Sequence, residues 1–524
     1  MGCARSGHKR CARVDNSGLT AAGYQARMAS GVKSERMFWW LAVSAVAAVG
    51  LVLRILAAQG GLWTDEAWSM VYAQQAGDPI GVFLRINHDN NHHLNSLWLQ
   101  AVGMGAPPWL ARLPAIIAGT ASVVVAALLA GSRSRQGGIV AATLFALSPA
   151  LVTFGSEARG YALMLLAALL MLLVATRAVE RRAWGKSTRW WLALLAFVGM
   201  LSHLTMAAPV ALTTIWIYLD CRSHSGSREA FGKTARLMGP TIAACVAVVL
   251  LVFIAAMASP LGMRVGGYVP FDLADYATAL DQVTGWSIGL SAVPLWLRLS
   301  LIGTASAAVA LHPPQWLGSH GRLYALLILG IALGILLLRV GNASFARYYL
   351  TSLIGLLLLI SEAAGRALAV RGPTRGLTAA LLIVLATLNL AGDAELIRLQ
   401  RGRPDGPVGV MAKLAPEGAR VAVNRRFEAI VTVAARRFGY RVQLTHGCEP
   451  AEFMLIPQLP EAPAPTAAVH CGTKMRRVDS STTSPISGDA WVLYAAENLQ
   501  TRRPPVSGPP PGAAESRCLS AERA

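Results

Sequence analysis

Phe38-Trp39-Trp40-Leu41-Ala42-Val43-Ser44-Ala45-Val46-Ala47-Ala48-Val49-Gly50-Leu51-Val52-Leu53-Arg54-Ile55-Leu56-Ala57-Ala58 is an apolar run whose only charge lies near its end. As a helix it is long enough to cross the ~30 Å hydrocarbon core of a bilayer. Just past its exit comes Gly61-Leu62-Trp63-Thr64-Asp65-Glu66-Ala67-Trp68-Ser69, with two adjacent carboxylates between tryptophans.

Runs of this kind recur as far as Leu390, and about eleven spans are expected. The composition agrees: 54% of the 524 residues are hydrophobic and 14% charged, against the ~25% charged usual in soluble domains. The net charge of +20 does not form a basic face for nucleic acid, because the basic residues are dispersed between spans. They follow the positive-inside rule instead. Arg27, Lys33 and Arg36, then Arg133 and Arg135, then Arg177, Arg181, Arg182, Lys186 and Arg189, then Arg228, Lys233 and Arg236, then Arg366, Arg371 and Arg375 mark cytoplasmic segments. The alternating loops, and with them Asp65 and Glu66, are extracytoplasmic.

Residues 1–36 read as a disordered basic cytoplasmic arm and 37–391 as a transmembrane domain. Within the latter, residues 59–108 form a first external loop with helices lying along the membrane surface, one of them capped by Thr64 over Asp65 to Gln75. Residues 392–500 read as a strand (Arg420 to Asn424), a helix (Glu428 to Phe438) and three further strands (Tyr440 to Thr445, Phe453 to Ile456 and Trp491 to Tyr494), a small α/β extracytoplasmic domain. A disordered proline-rich tail fills 501–524. Cys448 and Cys471 lie in the external domain, where an oxidising compartment permits a disulfide. The loop from Ser259 to Ala292 reads as a lid.

Three polar groups stand out in this apolar chain. Asp65 and Glu66 suit a helix first turn, but a carboxylate partly desolvated beside a second acid also gains proton affinity, as a general base requires. Asn87-His88-Asp89-Asn90-Asn91-His92-His93 carries side chains suited to a divalent metal (magnesium, manganese or zinc) or to sugar hydroxyls. In Ser156-Glu157-Ala158-Arg159-Gly160-Tyr161, Arg159 suits a phosphate and Glu157 a metal or an acceptor; the two pairing with each other is the plainer reading. Arg85, Arg112, His203 and the pair Arg347-Tyr348 fall at the same outer interface, where arginines also commonly snorkel.

The order and spacing of Asp65-Glu66, the histidine-rich stretch, Arg112-Leu113-Pro114, Glu157-Ala158-Arg159-Gly160-Tyr161 and Arg347-Tyr348 resemble the GT-C superfamily of polytopic glycosyltransferases. The likeness covers roughly Phe38 to Tyr349 and is nearest the branch of protein O-mannosyltransferases and lipid A aminoarabinose transferases. It implies an all-α membrane protein of the bacterial plasma membrane that moves a sugar from a polyprenyl-phosphate carrier to an extracytoplasmic acceptor. It further implies an inverting displacement with Asp65 as base, Glu66 and Glu157 in support, and Arg85, Arg112, Arg159, Arg347 and Tyr348 around the donor phosphate. His88, Asp89, His92, His93 and His203 are then the metal or sugar ligands. Relatives often carry a proline pair where this chain has His92-His93-Leu94-Asn95. A transporter or flippase of lipid-linked intermediates is the alternative; its ionisable groups would be spread through the bilayer.

Overall fold

The computed structural model describes residues 21–259, 262–264, 266–458, 464–497 and 499. Helix α1 (Ala21–Ala57) starts upstream of Phe38, so part of the expected arm is helical. Residues 1–20 and the proline-rich end from 501 lie outside the described residues.

The expected surface helices follow as α2 (Thr64–Gln75), α3 (Pro79–Leu84), α4 (His93–Val102) and α5 (Pro108–Ala111). The bundle continues through α6 (Leu113–Gly131), α7 (Arg135–Leu147), α8 (Pro149–Phe154), α9 (Tyr161–Glu180), α10 (Lys186–Ser202), α11 (Ala207–Arg222) and α12 (Ser227–Ala258). After α13 (Leu273–Ile288) come α14 (Leu295–Leu311), α15 (His320–Leu338), α16 (Leu350–Ala369) and α17 (Pro373–Leu399).

Among the described residues, 8 helical stretches are long and apolar enough to cross a membrane, with Leu295–Leu311 as a shorter apolar one. This is a polytopic membrane protein. The other expected crossings are shorter. Pro149 separates α7 from α8, consistent with the bias of a residue before proline against the helical region, and α10 ends at Ser202 before the extended residue His203. The expected lid from Ser259 to Ala292 instead contains α13, started by Asp272, which accepts from the Ala274 and Asp275 N–H groups, and stopped by left-handed Gly289.

Beyond α17, α18 (Gly406–Leu414), β1 (Ala419–Val423), α19 (Arg425–Phe438), β2 (Val442–Thr445), β3 (Phe453–Pro457), β4 (Ala467–His470), β5 (Thr473–Ser480) and β6 (Trp491–Ala496) build the α/β unit. Its sheet runs β2-β1-β3-β6-β5-β4, parallel where β1 meets β2 and β3 and antiparallel across the other pairs. Cys448 and Cys471 are disulfide-bonded. Phe427, Ile430, Val431 and Ala434 form the buried stripe of α19, with helical spacing. They share one core with Leu62, Ala67, Met70 and Val71, from α2 and the segment leading into it. The α/β unit is therefore packed onto the helix that begins at the two carboxylates.

Candidate active site

The adjacent acids diverge because successive side chains on a helix do not face each other. Glu66 points inward and is fully buried. Its Oε1 accepts from Arg112 Nε at 2.8 Å and from the Ala158 N–H at 2.5 Å, while Oε2 accepts from Arg112 Nη2 at 2.5 Å and the Trp63 N–H at 3.2 Å. Burial pushes this carboxyl up, but the charge and hydrogen bonds of Arg112, with Arg401 and the Ala158 N–H, hold it below the usual carboxylate range. The proton affinity expected of two neighbouring acids is thus reversed at Glu66 by its arginine. The same Arg112 donates to the Ala58, Gly60 and Gly61 carbonyls, which leaves this buried guanidinium committed to the chain between α1 and α2.

Asp65 points the other way and keeps 26% of its side chain exposed. Its Oδ2 accepts from Arg159 Nη1 at 2.7 Å, and Arg347 Nη1 stands 3.5 Å away. Arg159 also donates from Nη2 to Asn90 Oδ1 at 2.8 Å, and Asn90 Nδ2 returns to the Asp65 carbonyl at 2.8 Å. Arg159 lies over Tyr161 at 5.0 Å, and Arg347 over Phe345 at 3.9 Å and Tyr348 at 5.7 Å. The Nε of each arginine is buried without a hydrogen-bond partner. The sequence-predicted Asp65, Arg159, Arg347 and Tyr348 therefore come together, from three separate segments of the chain.

Thr64 does not cap α2; it is the first helical residue. Its N–H donates to Asp489 Oδ2 at 2.9 Å, from the loop before β6, and Arg426 of α19 pairs with the same carboxylate at 2.6 Å. A negative side chain from the α/β unit thus sits at the positive end of the helix bearing Asp65.

Glu157 and Arg159 do not pair through their side chains. Glu157 accepts from the Ser487 hydroxyl and stands 3.7 Å from Arg401, while its Oε2 is buried without a donor. Burial pushes its carboxyl up, only partly offset by Arg401, and the Glu66 charge adds to the rise. Arg401 donates to the Ala57 and Thr153 carbonyls at 2.6 and 2.9 Å and to Ser156 Oγ at 2.7 Å. It ties the end of α17 to the ends of α1 and α8.

His88, His92 and His93 do not gather, although His92 meets His203. His92 Nδ1 accepts from the Gly160 N–H at 2.8 Å, and its ring sits 4.7 Å from that of His203 and 5.5 Å from that of Tyr161. Burial, then the charges of His203, Arg159 and Arg347, push it well below its usual value, and because Nδ1 accepts from a backbone N–H the ring proton is on Nε2. A Cβ on Gly160 would meet the Ser202 carbonyl oxygen at 1.8 Å, so only glycine allows this turn. His93 stacks on Phe83 at 5.2 Å, and burial lowers it to about 4. His88 Nδ1 lies 2.8 Å from Asp89 Oδ1, which also accepts from the Gly266 N–H at 3.0 Å. Arg85 is turned to Asp78 at 3.0 Å and to the Ala76 carbonyl at 2.7 Å, apart from the Asp65 group. Among the described residues no three His, Cys, Asp or Glu side chains converge on a metal position.

The apo crystal structure of ArnT from Cupriavidus metallidurans is similar over 88% of this chain and 99% of that chain, with a TM-score of 0.53 at 12% identity. The chain shares the overall fold of that structure. The same ArnT bound to undecaprenyl phosphate gives a TM-score of 0.47 at 14% identity, over 88% and 99%. The Archaeoglobus fulgidus oligosaccharyltransferase tethered with an acceptor peptide gives 0.43 at 10% identity, over 77% and 63%. No family model and no curated protein matches the sequence.

The sequence reading missed Arg401, Ser487 and Asp489 and did not single out Asn90. Arg401 carried one usable signal. With Arg398 and Arg403 it forms a basic cluster on the side that the positive-inside rule leaves poor in Lys and Arg, a sign of a partner close by. Asp489 and Ser487 sit in a polar loop with no such mark.

Proposed function

We propose that this chain is an integral-membrane glycosyltransferase that moves a sugar from a polyprenyl-phosphate carrier to an extracytoplasmic hydroxyl, in a bacterial plasma membrane. The observation that carries the reading is the partly open carboxylate of Asp65 facing the guanidiniums of Arg159 and Arg347 at the exit of the first span.

In the resting protein those two arginines hold Asp65. A donor phosphate competes for the same groups, because a phosphate and a carboxylate offer guanidinium the same paired oxygens. Once the arginines turn to phosphate, Asp65 is free to take the proton of the acceptor hydroxyl. The acceptor oxygen forms a bond to the anomeric carbon from the face opposite the leaving group. The bond between that carbon and the phosphate oxygen breaks, and the electron pair leaves with the lipid phosphate, where Arg159 and Arg347 stabilise the charge. The configuration inverts.

Glu66 and Arg112 are positioning residues in this account, and so are Glu157, Arg401 and Asp489. The neutral His92, with His203, Asp89 and Tyr348, lies beside the arginines, where hydrogen bonds to a sugar are in keeping with its chemistry. The transport alternative wants ionisable groups distributed along a path across the bilayer, whereas Asp65, Glu157, Arg159 and Arg347 collect at one end of the helices. Release of polyprenyl phosphate from a panel of polyprenyl-phosphate sugars, in nanodiscs carrying the protein with envelope acceptors, tests the reading.

A further inference from the structure

The molecule has a second polar centre at the far end of the bundle. α6 leaves the Asp65 site at Leu113 and ends at Gly131, roughly 28 Å away at 1.5 Å per residue. α16 runs the same way from Leu350, and α1 enters the bundle here. Where these ends meet, Glu35, Arg133, Arg135, Trp316, Glu362 and Arg366 line a cavity of about 540 Å³. That volume falls in the range of small-molecule sites and far exceeds one ion.

The walls are fixed. Arg133 donates from Nε to His320 Nδ1 at 2.9 Å and from Nη1 to the Trp316 carbonyl at 2.9 Å, and it reaches Glu180 at 3.4 Å. Arg135 pairs with Glu35, using one of its two terminal nitrogens. Arg366 is exposed and engages no partner among the described residues. Three guanidiniums against the two carboxylates of the lining leave the cavity cationic.

One acid in it is nonetheless short of a donor. Glu362 is 2% exposed; its Oε1 accepts from the Tyr324 hydroxyl, but Oε2 has no hydrogen-bond partner. The nearest guanidinium nitrogen, Arg133 Nε at 3.7 Å, already serves His320. A buried carboxylate oxygen without a donor is costly, and a ligand N–H placed there removes the cost. The cavity thus asks for a negative group at Arg135 and Arg366 and a positive donor at Glu362.

We propose that this cavity binds a phosphoethanolamine group, its phosphate on Arg135 and Arg366 and its primary ammonium on Glu362. The group is carried either by a bilayer aminophospholipid or by a soluble phosphate ester. Trp316, 37% exposed at the same end, is a residue type favoured at the headgroup level of a membrane.

The test uses the purified, delipidated full chain in detergent, titrated by native mass spectrometry. The probes are dihexanoyl phosphatidylethanolamine, dihexanoyl phosphatidylglycerol and soluble phosphoethanolamine. The ethanolamine lipid should bind about tenfold tighter than the glycerol lipid, the worth of one charge-assisted hydrogen bond. Glu362→Gln should erase that preference, and Arg366→Ala, a surface change that leaves folding intact, should weaken the ethanolamine lipid by a similar factor. Displacement of the lipid by soluble phosphoethanolamine at equal concentration would keep the site and assign it to a soluble ester; failure to displace assigns it to the bilayer. Equal binding of the two lipids, or binding indifferent to Arg366→Ala, would overturn the proposal.

Discussion

Arg112 grips Glu66 through Nε to Oε1 at 2.8 Å and Nη2 to Oε2 at 2.5 Å, with both side chains sealed from solvent. The second acid of the pair thereby sets the direction of α2 and leaves Asp65 turned toward Arg159. Removing one partner strands a buried charge, which costs roughly 3–5 kcal/mol. Arg112→Ala is expected to lower the thermal midpoint sharply and the yield of membrane-inserted protein with it. Glu66→Gln keeps the side chain's volume and one of the two acceptor oxygens for Arg112 and should be milder. A thermal-shift comparison of the two variants checks the order.

The competition between Asp65 and donor phosphate for Arg159 and Arg347 predicts ordered binding, donor before acceptor. Product inhibition by polyprenyl phosphate should be competitive with the donor and should not be relieved by saturating acceptor. Arg347→Ala is expected to lower kcat/KM by about 100-fold, as for loss of one preorganised charge-stabilising donor. Random-order kinetics would count against the competition.

Asp489 reaches from the α/β unit to the Thr64 N–H, so that unit helps to aim the Asp65 helix. Losing a cap costs about 1 kcal/mol, and here Arg426 loses its ion partner as well. Asp489→Ala should therefore reduce kcat more than it changes KM for the donor. Asp489→Asn, which keeps an acceptor for Thr64, should recover part of the rate.

Glu157 gives a pH signature. Its carboxyl is raised in the folded protein, with burial the largest cause. Between the unfolded value of 4.5 and the higher folded value, the folded state binds more protons, so stability declines as pH rises through that window. Glu157→Gln removes this dependence while keeping an acceptor for Ser487. The variant should gain thermal stability relative to the parent as pH rises from 4.5 toward neutral, with no gain below 4.5. Parallel melting curves across that range would contradict the assignment.

The spans were legible because apolar runs near bilayer length have few other uses. α13 was not, since Leu273–Ile288 carries Asp275 and Asp281 and resembles a polar loop; the Asp272 cap and Gly289 stop were its only local marks. β4 and β5 escaped for a similar reason: Thr473–Ser480 holds Lys474, Arg476 and Arg477 on a strand remote from the parallel part of the sheet. In the site, Asp65, Arg159 and Arg347 could be named from composition and place along the chain. The separation of Glu66 from Asp65 could not, because it depends on Arg112 arriving from another helix. The spread of the histidine stretch was equally hidden. His92, His93 and His88 are close in sequence, but a backbone N–H, a phenyl ring and a carboxylate hold them apart.

The central claim is that Asp65 takes the acceptor proton. Transfer from a polyprenyl-phosphate sugar, measured as release of polyprenyl phosphate by Asp65→Asn and the parent protein in matched nanodiscs, tests it most directly. The variant should insert, fold and bind polyprenyl phosphate while its turnover falls to background. Turnover equal to that of the parent, with the donor the parent uses, would contradict it.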